Sequence, residues 1–164
     1  MSFTPVELVE GLRAARSYFL LHLVGVRDDQ WDWKPYPACK SIRETIAHLV
    51  VDDRAALYSL QHGAEPDYDA MEVAERDLHT LLKLLRESHD QLCSYLIEHY
   101  GSQPLDSAFS AYGRVRKLGQ GIPDLASEDY FHAGQVTFIR LATDPDWDYY
   151  AAIYGAVIVT GLPE

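Results

Sequence analysis

The stretch Ser41–Gly63, "SIRETIAHLVVDDRAALYSLQHG", decides the fold. Ser41 and Glu44 form an S-x-x-E capping box, which satisfies the free amide donors at a helix start. Ile42, Ile46, Leu49, Val50 and Leu57 then line one face of a helix, and Gly63 stops it. Such a helix is apolar on one side only and must be covered by others.

The flanking sequence supplies three more. Thr4-Pro5-Val6-Glu7 is a helix start with a cap, a proline at the first helical position and a glutamate at the third. Leu8, Leu12, Ala15, Phe19 and Leu23 continue it at three- and four-residue steps, and it fades near Gly25. A turn-rich link, "RDDQWDWKPYPACK", contains Pro35 and Pro37 and leads to Ser41. The third helix is expected from about Ala70 to Tyr100. Its apolar set is Val73, Leu78, Leu81, Leu82, Leu85, Leu92, Leu96 and Ile97, and Gly101 and Pro104 end it.

Residues 102 to 123 hold three of the ten glycines and read as a long connection crossing the bundle. Asp124 is the expected cap of a fourth helix, Leu125 to about Ala142, before Asp144-Pro145. The aromatic C-terminal tail, "DWDYYAAIYGAVIVTGLPE", suggests a short helix and then an extended segment packed on the bundle. Four amphipathic helices with few strand signals give an all-α four-helix bundle, a single domain over residues 1–164.

Composition narrows the function. Apolar residues are 48% and charged residues 24%, as in globular chains. Fourteen basic against 25 acidic side chains give a net charge of -11, which argues against nucleic acid and anionic membrane surfaces as partners. There is no uninterrupted apolar run long enough for a membrane span and no signal-peptide pattern. Cys39 and Cys93 lack CxxC spacing and read as reduced thiols, so a cytoplasmic location is expected.

The chemistry-bearing residues are few. In "SEDYFHAGQVTFIR", residues 127 to 140, Glu128 and His132 stand four apart and share a helix face. Side chains so placed can converge on one ion, and bundles build metal sites from such pairs on facing helices. His48, on the second helix, would complete two imidazoles and a carboxylate. That set suits zinc with an open position, ferrous iron or nickel. The plain alternative makes Glu128 a first-turn residue favoured by the helix dipole, His132 a surface residue and His48 a boundary residue. A di-iron carboxylate site fits poorly. It needs Glu-x-x-His pairs, whereas Glu44/His48 and Glu128/His132 have three intervening residues and Glu44 serves the capping box.

His79, His89 and His99 recur every ten residues, which rotates each by about 80° from the last, so solvated positions are expected. His22 and His62 sit near helix ends, where a cation suits the dipole. Gly134 inside a helix suggests close approach of a neighbour. Gln135 can orient a ligand or a water, or make an interhelical hydrogen bond. No G-x-S-x-G elbow or phosphate-cradling glycine loop is present.

Taken together, "DDQWDWKPYP" after the first helix, "SIRETIAHLVVDD", "DYFHAGQVTFIRLA" and "DWDYYAAIYG" resemble the DinB-like (YfiT-like) superfamily of four-helix bundles, over nearly the whole chain. The resemblance implies a divalent metal, often zinc or nickel, held by three histidines, one on the second helix and two spaced H-x-x-x-H on the last. The first corresponds to His48 and the last to His132, while the middle position is Glu128, a carboxylate in place of histidine. It further implies a homodimer, and a hydrolase or a transferase using a low-molecular-weight thiol. Asp52, one turn from His48, is a candidate to hold that imidazole. The competing expectation is a non-catalytic bundle that binds a small molecule or partner without metal.

Overall fold

The computed structural model describes residues 3–155. Four helices form the bundle: α1 (Pro5–Leu21), α2 (Ile42–His62), α3 (Leu78–Tyr100) and α4 (Leu118–Thr143). Both expected capping boxes are present. Thr4 accepts from the Glu7 amide and Ser41 from the Glu44 amide, and each glutamate reaches back to its cap. Gly63 ends α2 in the left-handed conformation. α1 lies against α4 and α3, and α2 against α3 and α4. Two apolar clusters fill the interior. One is built around Leu12, Leu92, Leu96 and Phe109, the other around Phe19, Ile46, Leu81 and Val136.

Three boundaries differ from the sequence reading. α3 begins at Leu78, with Asp77 accepting from the Thr80 amide, and a separate 3-10 turn occupies Asp69–Met71. Val73 therefore lies outside the helix, although it still packs on the core. The connection 102–123 is not irregular. Ala108–Ala111 (β1) and Arg114–Lys117 (β2) form an antiparallel hairpin pairing Ala111 with Arg114. Tyr112 and Gly113 between them both have positive φ, 51° and 68°, the pairing that a tight two-residue hairpin turn requires. A tyrosine in that region is uncommon, and its hydroxyl is anchored 3.0 Å from the Asp52 carbonyl oxygen on α2.

The hairpin also explains why α4 starts before Asp124. Leu118 and Gly119 donate their amides to Ser107 and Leu105 carbonyls, each at 2.9 Å, so the helix start needs no side-chain cap. Gly121 permits the arrangement, because a Cβ there would stand 2.0 Å from the Phe109 ring. Asp124 instead pairs with Arg116. Gly134 is the reverse case. Among the described residues nothing lies within 4 Å of where its Cβ would be, so none of them makes the expected close approach. In the tail, Tyr150–Gly155 form a π-helical turn, and the expected extended segment lies outside the described residues.

The interior is not wholly apolar. Arg16 of α1 is 5% exposed and makes a two-pronged contact to Asp53 of α2, at 3.0 and 3.2 Å. Its Nε lies 2.5 Å from Asp129 of α4, and it also donates to the Leu85 carbonyl of α3. Ser88 donates to Asp53 at 2.8 Å. His89 Nδ1 is 3.4 Å from the same carboxylate, so His89 is buried, contrary to its expected solvated position. Burial works against the charge on Asp53, but Arg16 and His89 outweigh it and hold the carboxyl below its ordinary range. His22 is also buried, bonded to the Tyr18 carbonyl, and burial lowers its pKa. The cation at that helix end is Arg140, which donates to the His22, Val24 and Gly25 carbonyls.

Removing Arg16 would leave two carboxylates buried without their counter-charge. Arg16→Leu should therefore destabilise the fold by about 3–5 kcal/mol, measured by urea unfolding at pH 7. A loss below about 1 kcal/mol would show that the network is not the joint that it looks like.

Candidate metal centre

Adjacent acidic residues on two helices divide their work. On α2, Asp53 turns to Arg16 while Asp52 lines a cleft. On α4, Asp129 turns to Arg16 while Glu128 lines the same cleft. The Arg16 clamp thus fixes the rotation of both helices, and His48 and His132 follow from it, one turn before Asp52 and one turn after Glu128.

One ligand atom from each of His48, Glu128 and His132 lies within 4.8 Å of the others. The two imidazole rings meet edge to face with centroids 4.9 Å apart. His132 Nε2 stands 3.7 Å from a Glu128 carboxylate oxygen. His132 Nδ1 lies 2.7 Å from Gln135 Oε1, so Nδ1 carries the proton and donates it. That assignment leaves Nε2 as the lone-pair nitrogen, and Nε2 is buried with no hydrogen-bond partner among the described residues. A buried nitrogen without a partner is rarely left so. Aimed at a second imidazole and a carboxylate, it fits one divalent cation.

Neither histidine is poised to be a cation. Burial lowers the pKa of His48, reinforced by the charge of Lys40. Burial also lowers that of His132, against the Gln135 hydrogen bond. Both are therefore neutral at pH 7, the form that ligates metal. The plain alternative fails on two counts: α4 begins ten residues before Glu128, beyond the reach of its dipole, and His132 is 3% exposed. Gln135 bonds His132 of its own helix and makes no interhelical hydrogen bond among the described residues. Asp52 makes no hydrogen bond to His48 and lies instead beside Glu128, whose charge adds to burial to push the Asp52 carboxyl up to about 6.

Two clefts reach the ligand set. One, of about 490 Å³, is lined by Glu128, Asp52, Tyr68, Tyr112, Arg114 and other residues of the hairpin and α4. The other, of about 380 Å³, is lined by His48, Lys40, Arg43, Val73 and Arg76 among others. The hairpin wall and the Arg16 network are the parts that the sequence reading missed. The paired acids, Asp52-Asp53 and Glu128-Asp129, were the available signal for the network, and "AYGR" for the turn.

A family model described as the DinB superfamily matches residues 12–136, well over half of the chain and including all three candidate ligands. No curated protein and no solved structure gives a match.

Asp52 gives a test of the site's electrostatics. A carboxyl with a raised folded-state pKa stabilises the fold in its protonated form. The contribution is full below about pH 4 and is lost as pH rises through about 6. In metal-free protein, Asp52→Asn should raise stability by about 1–3 kcal/mol at pH 8 and by little at pH 4.5. Equal effects in urea unfolding at the two pH values would contradict this.

Proposed function

The chain belongs to the DinB superfamily, and from that membership we propose that it is an enzyme using one divalent metal to hydrolyse or transfer a group between small molecules. His48, Glu128 and His132 would hold the ion, zinc or nickel in the first instance and ferrous iron as a further candidate. The observation that carries this reading is the buried His132 Nε2, without a hydrogen-bond partner among the described residues and close to Glu128 and His48. When bound, a divalent cation supplies Lewis acidity that lowers the pKa of a water or thiol toward neutrality.

The chain's own residues supply the rest. Gln135 fixes the His132 tautomer and ring orientation. Asp52, largely ionised above pH 6, stands in the hairpin cleft as acceptor of the proton that a thiol or water gives up. Two clefts, one lined by Glu128 and one by His48, suit a reaction between two molecules, which favours transfer over hydrolysis. In the transfer, a low-molecular-weight thiol would form a bond from sulfur to an electrophilic carbon as the leaving group departs. Its proton would pass to Asp52.

The second reading is a bundle that binds a small molecule without metal. It is favoured by Glu128, whose side chain is 43% exposed at the position where the resemblance expects a histidine. Metal content separates the two. Protein made without a histidine tag and offered zinc, nickel and ferrous iron should retain about one equivalent. His132→Ala should lose at least about 100-fold in affinity, and Gln135→Ala about 10- to 100-fold. Failure to retain any of the metals, or unchanged affinity in His132→Ala, overturns the metal reading. The reaction is tested separately on a panel of thiols and electrophiles. Metal retention without metal-dependent turnover would leave the centre and remove the transferase.

A further inference from the structure

β2 is built with its faces reversed. In the hairpin register Arg116 stands opposite Phe109, and Arg114 opposite Ala111. Cross-strand partners share one side of a sheet, and so do alternate residues of a strand. Phe109 and Ala111, 1% and 7% exposed, turn to the bundle, so the two arginines turn to that side with them. Val115 points the other way and is 74% exposed. A strand laid on a core ordinarily puts its apolar residues inward and its charges outward. The reversal sets two cations on the wall of the cleft of about 490 Å³ that Glu128 also lines.

The two arginines are used differently. Arg116 pairs with Asp124 and ties the hairpin to α4. Arg114 has no carboxylate within ion-pair distance among the described residues, although Asp52, Glu65 and Glu128 line the same cleft. A cation that passes over three nearby carboxylates is not placed there for an internal ion pair. Its position is nonetheless fixed. It lies two residues after Tyr112, whose φ is 51° and whose hydroxyl is held 3.0 Å from the Asp52 carbonyl oxygen. That bond pins the hairpin tip to α2, one turn from His48.

We propose that Arg114 anchors the carboxylate of a small molecule bound in the hairpin cleft, with the other end of that molecule toward the metal centre. The anchor stands on the hairpin alone, and the direction of the far end rests on the metal reading. A guanidinium presents a planar fork of donors that matches a carboxylate at two points. The surroundings supply orientation. Asp52, Glu65 and Glu128 repel an anion from the rest of the cleft, so a ligand with one charged end enters with that end at Arg114. They also select against phosphate, which carries nearly two charges and would meet the same single cation. A chain of net charge -11 repels anions at long range, so a carboxylate is held only where a cation stands unpaired. The volume lies within the roughly 300–1,000 Å³ of small-molecule sites.

Two ligands that differ only at the end Arg114 would hold test this: ω-mercaptohexanoate and its uncharged amide. Each is titrated into metal-free and zinc-loaded chain, and binding is followed by backbone amide chemical shifts. The carboxylate should bind about 10- to 100-fold more tightly than the amide in both forms, and it should move the Gly113 and Arg114 signals. Arg114→Gln should abolish the preference and keep the parent melting temperature, because the side chain it removes is exposed. Lys117→Gln changes the net charge equally from the outward face of the same strand and should leave the preference intact. Equal binding of the two ligands to the parent chain overturns the proposal. So does a preference that survives Arg114→Gln or falls equally in Lys117→Gln. A chain that retains no zinc but keeps the Arg114-dependent preference removes the metal centre and supports the anchor. Zinc retention without the preference does the reverse.

Discussion

Arg16 is the joint on which the structure depends. Its guanidinium joins Asp53 of α2, Asp129 of α4 and the Leu85 carbonyl of α3 from a position on α1, so one side chain sets the relative rotation of four helices. Hydrophobic faces alone would tolerate rotation and sliding, because apolar contact is not directional. A buried ion-pair network is a weak source of net stability against an apolar replacement, but breaking it at one member is severe. Its value here is registry: Asp53 and Asp129 turned inward put Asp52 and Glu128 into one cleft, with His48 and His132 beside them.

The candidate centre illustrates how a polar site survives inside a packed bundle. Gln135 occupies one nitrogen of His132, burial keeps both histidines neutral, and the remaining nitrogen is left to a ligand. Replacing a histidine by Glu128 changes the character of the set. A carboxylate brings a negative charge, which strengthens attraction for a divalent cation, and it binds through oxygen, which makes the site harder than an all-imidazole one. Half-exposed, Glu128 also faces the hairpin cleft, whereas His48 lines the other cleft.

Much of this was legible in the sequence because it is local. The capping boxes at Thr4–Glu7 and Ser41–Glu44, the Gly63 stop and the four-residue spacing of Glu128 and His132 depend on residues within one or two turns of each other. The features missed are long-range. His89 on α3 looks solvated by its ten-residue recurrence, and only its contact with Asp53, 36 residues away, shows otherwise. Asp124 looks like a cap because it precedes an apolar run, but loop carbonyls at Leu105 and Ser107 start the helix about two turns earlier. The hairpin had a local sign in Tyr112-Gly113, hidden by the brevity of its strands and by Val115, which is exposed on β2.

The proposed centre has His48, Glu128 and His132 together holding one divalent cation. X-ray absorption at the zinc edge of the zinc-loaded chain tests it most directly, because imidazole gives multiple-scattering signals that carboxylate and water do not. One zinc with two histidine nitrogens and oxygen ligands is expected, all at about 2.0–2.2 Å. A spectrum without imidazole scattering, or with the two-histidine signal unchanged in His48→Ala, would contradict it.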